Sequence, residues 1–269
     1  MVKSAVRVLD ILEAVGSRKA GLTQKDIAQV LGIPKSSLSN LLSDLSGKEY
    51  LVQRGSNGHY VLGPQLLILA GRFLDNQDVV GHGRSLAAVL TRETGESVAI
   101  AIPVGWNALI LYKEDGNQAI LPSIRVGTRL PLYASAVGKA ILAHFPEDEI
   151  QRYLEEVNLT ALTSSTIIDP QVLLEELRII QGGGLARNRD GFRIGISALA
   201  APIFDHGGRA VASMALSVPT ERLDAQREEE LGRAISLVAA KCSRLIGFSP
   251  RYNETGSDRS GSSLDPKGR

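Results

Sequence analysis

The stretch that decides the fold of the N-terminal region is TQKDIAQVLGIPKSSLSNLLS, residues 23–43. Thr23 to Asp26 is typical of a capping box, in which the threonine hydroxyl accepts a backbone N–H of the first helical turn. Gly32 suits the left-handed conformation that ends a helix, and Pro34 favours the start of the next helix. Two short helices joined by this tight turn predict a helix-turn-helix unit.

Apolar residues on both sides of this stretch complete the unit. Residues 8, 11, 12 and 15 are spaced i, i+3, i+4, i+7, as are residues 38, 41, 42 and 45, so each set predicts a buried helical face. Two short runs, 50–54 and 59–62, flank the sequence Gly-Ser-Asn-Gly and predict a β-hairpin. Three helices followed by a hairpin predict a winged helix-turn-helix domain over residues 1–62.

The second helix of the motif has a polar face of short side chains. A solvated helix face more often carries Glu/Lys pairs, because those residues favour helix and serines do not. Short hydroxyl and amide groups let a backbone approach DNA closely while they hydrogen-bond phosphates and base edges. Arg54 is either a phosphate or minor-groove contact of the wing or an ordinary surface arginine. The predicted DNA-contacting residues are Lys35, Ser36, Ser37, Ser39, Asn40, Arg54 and Asn57.

The charge is divided along the chain. Residues 1–60 contain eight Lys/Arg and five Asp/Glu, whereas the whole chain of 269 residues has a formal charge of only +1. A basic N-terminal region on an acidic remainder fits nucleic-acid contact at one end. The single cysteine excludes an internal disulfide or a CxxC motif, and the four histidines lack zinc-ligand spacing. We therefore predict no metal site and no cofactor.

Neither a membrane span nor a secretory signal is visible in the sequence. No apolar run approaches the roughly 18–20 residues that a spanning helix needs, and the first ten residues lack an apolar signal-peptide core. We expect a soluble cytoplasmic protein.

The rest of the chain is organised as a linker, a mixed domain and a tail. An amphipathic pattern predicts a linker helix over 63–78, which also suits packing against a second chain. Strand and helix patterns then alternate over 79–248, including helices at 147–156, 170–181 and 224–246 and strands at about 192–204 and 209–218. Residues 249–269 are Gly/Ser-rich and polar, which predicts disorder. The fold class is α+β.

Several motifs together resemble the IclR family of bacterial transcription regulators over roughly residues 1–248. The segments Arg7–Glu13, Leu22–Ala28 and Gly32–Ser37 are similar to its winged helix. The run Val126–Leu132 with Ala134-Ser135 and Gly138-Lys139-Ala140 is similar to its most specific signature. Ala200–Asp205 and Ser217-Val218-Pro219 are similar to its late strands.

The resemblance implies a C-terminal GAF-like effector-binding domain, a homodimer or dimer of dimers, and a small organic acid that controls transcription of a nearby catabolic operon. The implied effector-contacting positions are Ala134, Ser135, Ala136, Val137, Gly138, Ile196, Ala198 and Ser217. The partner would be a double-stranded, pseudo-palindromic DNA operator. Repression is favoured over activation.

The chain departs from the family pattern in two places. Asn40 stands where an arginine is common on the recognition helix. Asn188 falls where a carboxylate would face the effector, and the neighbouring Arg187 and Arg189 either pair an effector carboxylate or point to solvent. Arg187, Asn188 and Arg189 therefore belong to the predicted effector site.

Two other functional classes remain open at this stage. One is a small-molecule-binding signalling module that uses its winged helix for protein contacts. The other is an enzyme on the GAF-like domain, but Gly138-Lys139 lacks a P-loop frame and residues 195–199 lack the second glycine of a nucleophile elbow. Cys242 has no resolving partner. We therefore predict no catalytic residue.

Overall fold

The computed structural model describes residues 3–55, 58–75, 78–117 and 124–249. The chain divides into two compact units, Met1–Gly81 and His82–Arg269. The predicted wing contact Asn57 and nearly all of the predicted disordered tail, residues 250–269, lie outside the described residues.

The N-terminal unit contains the three predicted helices and the hairpin. Its core consists of apolar residues from all three helices and the first strand, including Ile11, Ile27, Leu38, Leu42 and Leu51. The elements are α1 (Lys3–Gly16), α2 (Gln24–Leu31), α3 (Lys35–Gly47), β1 (Leu51–Arg54), β2 (His59–Leu62) and α4 (Pro64–Asp75). β1 and β2 pair antiparallel, with Arg54 opposite His59. These elements confirm a winged helix-turn-helix.

The turn chemistry read from the sequence is present. The Thr23 hydroxyl accepts the Asp26 backbone N–H at 3.2 Å, and the Asp26 carboxylate accepts the Thr23 backbone N–H at 3.0 Å. The Thr23 hydroxyl also lies 2.6 Å from the Asp26 carboxylate and donates to it, and this bond together with the one from the Thr23 backbone N–H lowers the pKa of Asp26. Gly32 has φ +62°, the left-handed conformation expected at the end of α2.

The C-terminal unit is an α/β unit built on one sheet. Its elements are α5 (Asp78–Thr94), β3 (Ser97–Val104), β4 (Asn107–Glu114), β5 (Arg129–Pro131), α6 (Ala136–Leu142), α7 (Glu147–Glu156), α8 (Pro170–Gln181), β6 (Ala186–Arg189), β7 (Ile196–Phe204), β8 (Ala210–Pro219) and α9 (Ala225–Leu245). The six strands form an antiparallel sheet with the order β5-β4-β3-β8-β7-β6.

Helices cover both faces of this sheet. α6 packs on one face, and α8 contacts α6. Because successive strand residues alternate between faces, Leu199 and Leu216 lie on the other face, where α9 contacts β7 and β8.

The main difference from the sequence-based expectation lies before β7. The strand expected from about 192 begins at Ile196, because the preceding residues form a turn. The Asp190 carboxylate accepts the Gly195 backbone N–H and the Thr220 hydroxyl, each at 2.7 Å, and Asp190 and Gly195 adopt φ +58° and +82°. β5 and β6 were not expected as strands, since three or four residues are too few to show alternation.

Candidate functional site

α3 presents the predicted polar face to solvent. Leu38, Leu42 and Leu45 are buried on its inner side, and they fix the rotation of the helix about its axis. Lys35, Ser36, Ser39 and Asn40 are consequently exposed, whereas Ser37 is half-buried. The first turns of α3 therefore offer one cation, hydroxyls and an amide on a single open surface.

The wing adds a second basic residue to the predicted DNA-contacting set. Arg54 is exposed at the end of β1, next to the turn of the hairpin. Among the described wing residues, it carries the only side chain predicted to contact DNA.

One charged residue on α3 limits how DNA could be engaged. Asp44 is exposed one helical turn beyond Asn40, and a carboxylate is repelled by phosphate. This charge disfavours phosphate contact in the second half of α3, whereas recognition helices usually touch base edges with their N-terminal residues.

In the C-terminal unit, small side chains on neighbouring strands leave space between the sheet and α6. One row across the sheet is Ser97, Ser217, Ala198 and Asn188, and the next is Ala99, Ala215, Ala200 and Ala186. A cavity of about 80 Å³ lies over these rows. Of the predicted effector positions, Ser135, Ala136, Val137, Asn188, Ile196, Ala198 and Ser217 line it, whereas Ala134 and Gly138 do not.

The segment before α6 forms one wall of the cavity and is tightly fixed. The Ser135 hydroxyl donates to the Pro131 carbonyl at 2.8 Å and accepts the Gly138 backbone N–H at 3.1 Å, which caps α6. A Cβ atom at Gly138 would lie 2.4 Å from the Leu132 Cα, so only glycine fits there. Gly138 therefore allows close packing of this wall without lining the cavity.

α6 is also anchored by a buried ion pair. Lys139 is buried on α6 and donates to the Glu176 carboxylate of α8 at 2.6 Å. Burial lowers the pKa of Lys139, and the Glu176 carboxylate acts in the opposite direction. This pair borders a separate cavity of about 240 Å³ on the far side of Asn188.

Asn188 joins the two walls of the first cavity. Its side chain is 8% exposed. Its amide nitrogen donates to the Ala134 carbonyl, and its amide oxygen accepts the Gly191 backbone N–H at 2.8 Å. An amide is required for this pair of bonds, since it donates and accepts at the same time.

Arg187 and Arg189 do not line the first cavity. They alternate with the buried Ala186 and Asn188 along β6. Arg187 donates to the Glu228 carboxylate at 2.6 Å, and Arg189 donates to the Leu223 carbonyl at 2.7 Å. Both border the separate 240 Å³ cavity beside Lys139 instead. The sequence left two alternatives for these arginines, pairing with an effector carboxylate or pointing to solvent. The structure does not place either side chain where it could pair with a ligand in the first cavity.

Sequence reasoning missed the two basic residues that do line the first cavity, Lys113 and Arg193. A β-bulge shifts the register of β4 against β3, so that Ile110 pairs with Ala101 but Lys113 pairs with Ala99. Lys113 and Ile110 therefore share a face although they are an odd number of residues apart. Simple alternation assigns them to opposite faces, so no sequence signal would have identified Lys113.

Neither a metal-ligand cluster nor a membrane-spanning helix occurs among the described residues. Within the described ranges, no group of three or more His, Cys, Asp or Glu side chains is arranged to hold a metal ion. In the same ranges, every helix is too short or too polar to cross a bilayer.

Comparison with known proteins gives matches over both units. The IclR helix-turn-helix domain matches residues 4–55, and the bacterial transcriptional regulator IclR C-terminal domain matches residues 71–244. Thermotoga maritima IclR has the same fold, with a TM-score of 0.80 and 27% identity over 92% of this chain and 100% of that chain.

Curated relatives match over nearly the whole chain. The HTH-type transcriptional regulator BhcR of Paracoccus denitrificans is 31% identical over 93% of this chain and 88% of that protein. The transcriptional repressor IclR of Escherichia coli is 28% identical over 89% of this chain and 88% of that protein. With its exposed recognition helix, its C-terminal α/β unit and these matches, the chain belongs to the IclR family of DNA-binding transcription regulators.

Proposed function

We propose that this regulator represses a nearby catabolic operon and that a small organic acid, bound in the C-terminal cavity, controls its affinity for the operator. The observation that carries the DNA half is the α3 surface, where a buried leucine face holds short polar side chains open to solvent. The observation that supports the effector half is the 80 Å³ cavity beneath α6.

The predicted DNA-contacting residues fall into two groups, according to side-chain length and charge. Lys35 and Arg54 would bind phosphates, which positions the domain without reading sequence. Ser36, Ser39 and Asn40 would approach base edges in the major groove, and the half-buried Ser37 would contribute to the same surface. Asn57 of the wing turn stays a prediction from sequence.

On the effector side, the Ser217 hydroxyl is available for a ligand. Among the described residues it has no hydrogen-bond partner, whereas Ser135 and Asn188 are occupied by backbone groups. Ser217 lines the cavity together with apolar residues such as Ala198, Ile196 and Val137. This combination suits a compact ligand with an apolar body and a few polar atoms.

The assembly we propose is a homodimer or a dimer of dimers that binds a pseudo-palindromic operator in the cytoplasm. Two-fold symmetry of the protein would be mirrored in two DNA half-sites. An exposed apolar surface on α4 supports self-association: Leu67 is 76% exposed and Phe73 is 44% exposed. A catalytic role is not part of this proposal.

The test is to select operator DNA from genomic fragments with the full-length protein and to measure its affinity at several salt concentrations. Each neutralised phosphate adds about −0.9 to the slope of log K against log salt for B-DNA. A steep slope together with a selected site of two related half-sites is the expected result. Protein capture without a salt-dependent DNA complex would instead favour the alternative signalling module.

A further inference from the structure

Lys113 is the less exposed of the two described cations that line the effector cavity. Its side chain is 11% exposed, and the bulge in β4 directs it to the same face as Ala99. The other cation of the lining, Arg193, lies in the exposed turn before β7. An ion pair to a desolvated ammonium is stronger than one at the surface, so Lys113 is the better anchor for an anion.

The charged residues of the cavity lining are all basic, since the described lining contains Lys113 and Arg193 but no acidic residue. The carboxylate that neutralises Lys113 comes from outside the lining: Asp115, two residues further along the chain, pairs with its ammonium. The Asp115 side chain is 60% exposed, in contrast to that of Lys113. Asp115 therefore loses little when its carboxylate turns to water.

The backbone around Asp115 is held in place independently of this ion pair. The Gly116 backbone N–H donates to the Ser97 hydroxyl at 3.0 Å. A Cβ atom at Gly116 would lie 2.3 Å from the Gly95 carbonyl oxygen, so the segment is closely packed. The Asp115 side chain can exchange with a ligand by rotation alone.

The size and the polar groups of the cavity narrow the ligand class. A cavity of about 80 Å³ favours a compact ligand over a long acyl chain. β4 and β8 are separated by β3, so the strands carrying Lys113 and Ser217 lie about 10 Å apart. A compact ligand with a carboxylate at one end and a hydrogen-bonding atom at the other spans these two residues.

We propose that Lys113 binds the carboxylate of a compact monoanionic acid and that Asp115 is an internal competitor which the ligand carboxylate displaces. This inference rests on the effector cavity of the proposed function and adds the specificity-determining ion pair. Lys113 stays paired in both states, so its buried charge is never uncompensated. None of the positions implied by the family resemblance supplies this contact.

The experiment measures calorimetric affinities of the full-length protein for matched acids and amides: benzoate with benzamide, and 4-hydroxybenzoate with 4-hydroxybenzamide. The wild type is expected to prefer each acid over its amide. Lys113→Met keeps the aliphatic stem and is expected to weaken acid binding about 10- to 100-fold, because a charge-assisted bond is lost. Lys113→Arg is expected to restore much of this preference.

Asp115→Asn provides the opposite change. It removes the competitor and is expected to strengthen acid binding about three- to tenfold while amide binding is unchanged. Lys241→Met is the matched control, since Lys241 is an exposed lysine on α9, which packs on the other face of the sheet. It should leave both affinities at the wild-type value.

Three results would overturn the inference: no panel acid binds at millimolar concentration, Lys113→Met keeps the acid preference, or Asp115→Asn weakens acid binding. Operator affinity is measured in the same preparations, so that a failure of this inference can be distinguished from a failure of the proposed function. A protein that binds its operator but shows no Lys113-dependent acid preference contradicts only the inference. A protein that binds no operator contradicts the proposed function.

Discussion

The recognition surface and the effector cavity are built in opposite ways. A single helix, α3, supplies five of the seven predicted DNA contacts, and three buried leucines determine which of its side chains face solvent. The cavity requires all six strands of the sheet, the segment before α6 and the Asn188 amide, which come from distant parts of the chain. Substitutions on α3 should therefore change binding without changing stability, whereas substitutions around the cavity should change stability.

Gly138→Ala should have the largest effect. The new Cβ would lie 2.4 Å and 2.5 Å from two backbone atoms of Leu132, and backbone cannot move aside as a side chain does. We expect the free energy of unfolding of the C-terminal unit to fall by about 3 kcal/mol. Urea denaturation measures this value. Gly81→Ala is the control, because an added Cβ meets nothing within 4 Å there and alanine favours helix.

Asn188→Asp should be the next largest. The introduced carboxylate cannot donate to the Ala134 carbonyl, so two oxygen acceptors would face each other in a buried site. The expected cost is about 2 kcal/mol in the free energy of unfolding at neutral pH. Because a protonated carboxyl group donates again, the cost should shrink as the pH is lowered toward 4. A pH-independent cost would show that the Ala134 contact is not its cause.

Asn40→Ala tests the opposite expectation on α3. It should relax the preference at one base pair by about 1–2 kcal/mol and change the free energy of unfolding by less than about 0.5 kcal/mol. Lys35→Met should instead weaken binding to all sequences and reduce the salt slope by about one. Affinities for single-base operator variants distinguish the two. Unchanged relative affinities in Asn40→Ala would remove Asn40 from the base-contacting set.

His144 should give the smallest effect. Burial lowers the pKa of His144 from its ordinary 6.5, although the Ala140 carbonyl acts in the opposite direction. Below about pH 6.5 the unfolded chain binds a proton at this histidine that the folded chain does not bind. The contribution of His144 to the free energy of unfolding is therefore complete above that pH and decreases as the pH falls. Between pH 7 and 5.5, the free energy of unfolding of His144→Leu should fall by about 1 kcal/mol less than that of the wild type. Urea denaturation at several pH values measures this difference, and an equal loss in the wild type and His144→Leu would contradict it.

The same contrast explains how much could be predicted from the sequence. Helical periodicity and turn residues such as Thr23 and Gly32 were sufficient for the winged helix and for the exposed face of α3, because these signals are local. Strand positions depend on long-range register. β6 was not identified as a strand from the sequence. The alternation of buried and exposed residues along β6 separates Arg187 from Asn188, and without it the two arginines could not be placed outside the cavity.

Lys113 illustrates the remaining gap. A bulge of one residue in β4 reverses the face on which Lys113 lies, and the bulge itself arises from pairing with β3. The resemblance to a family supplied seven of the residues that line the cavity, namely 135–137, 188, 196, 198 and 217, but no cation among them. Lys113, the lysine that we propose as the ligand anchor, could be placed in the cavity only from the structure.

The central claim is that the C-terminal cavity controls DNA binding, and one measurement tests it most directly. The affinity of the wild-type protein for its selected operator is measured by fluorescence anisotropy at fixed salt, with a panel acid at saturation and with its amide at the same concentration. We predict a change of about tenfold or more with the acid and none with the amide. An operator affinity that stays constant while calorimetry shows the acid bound would contradict the account.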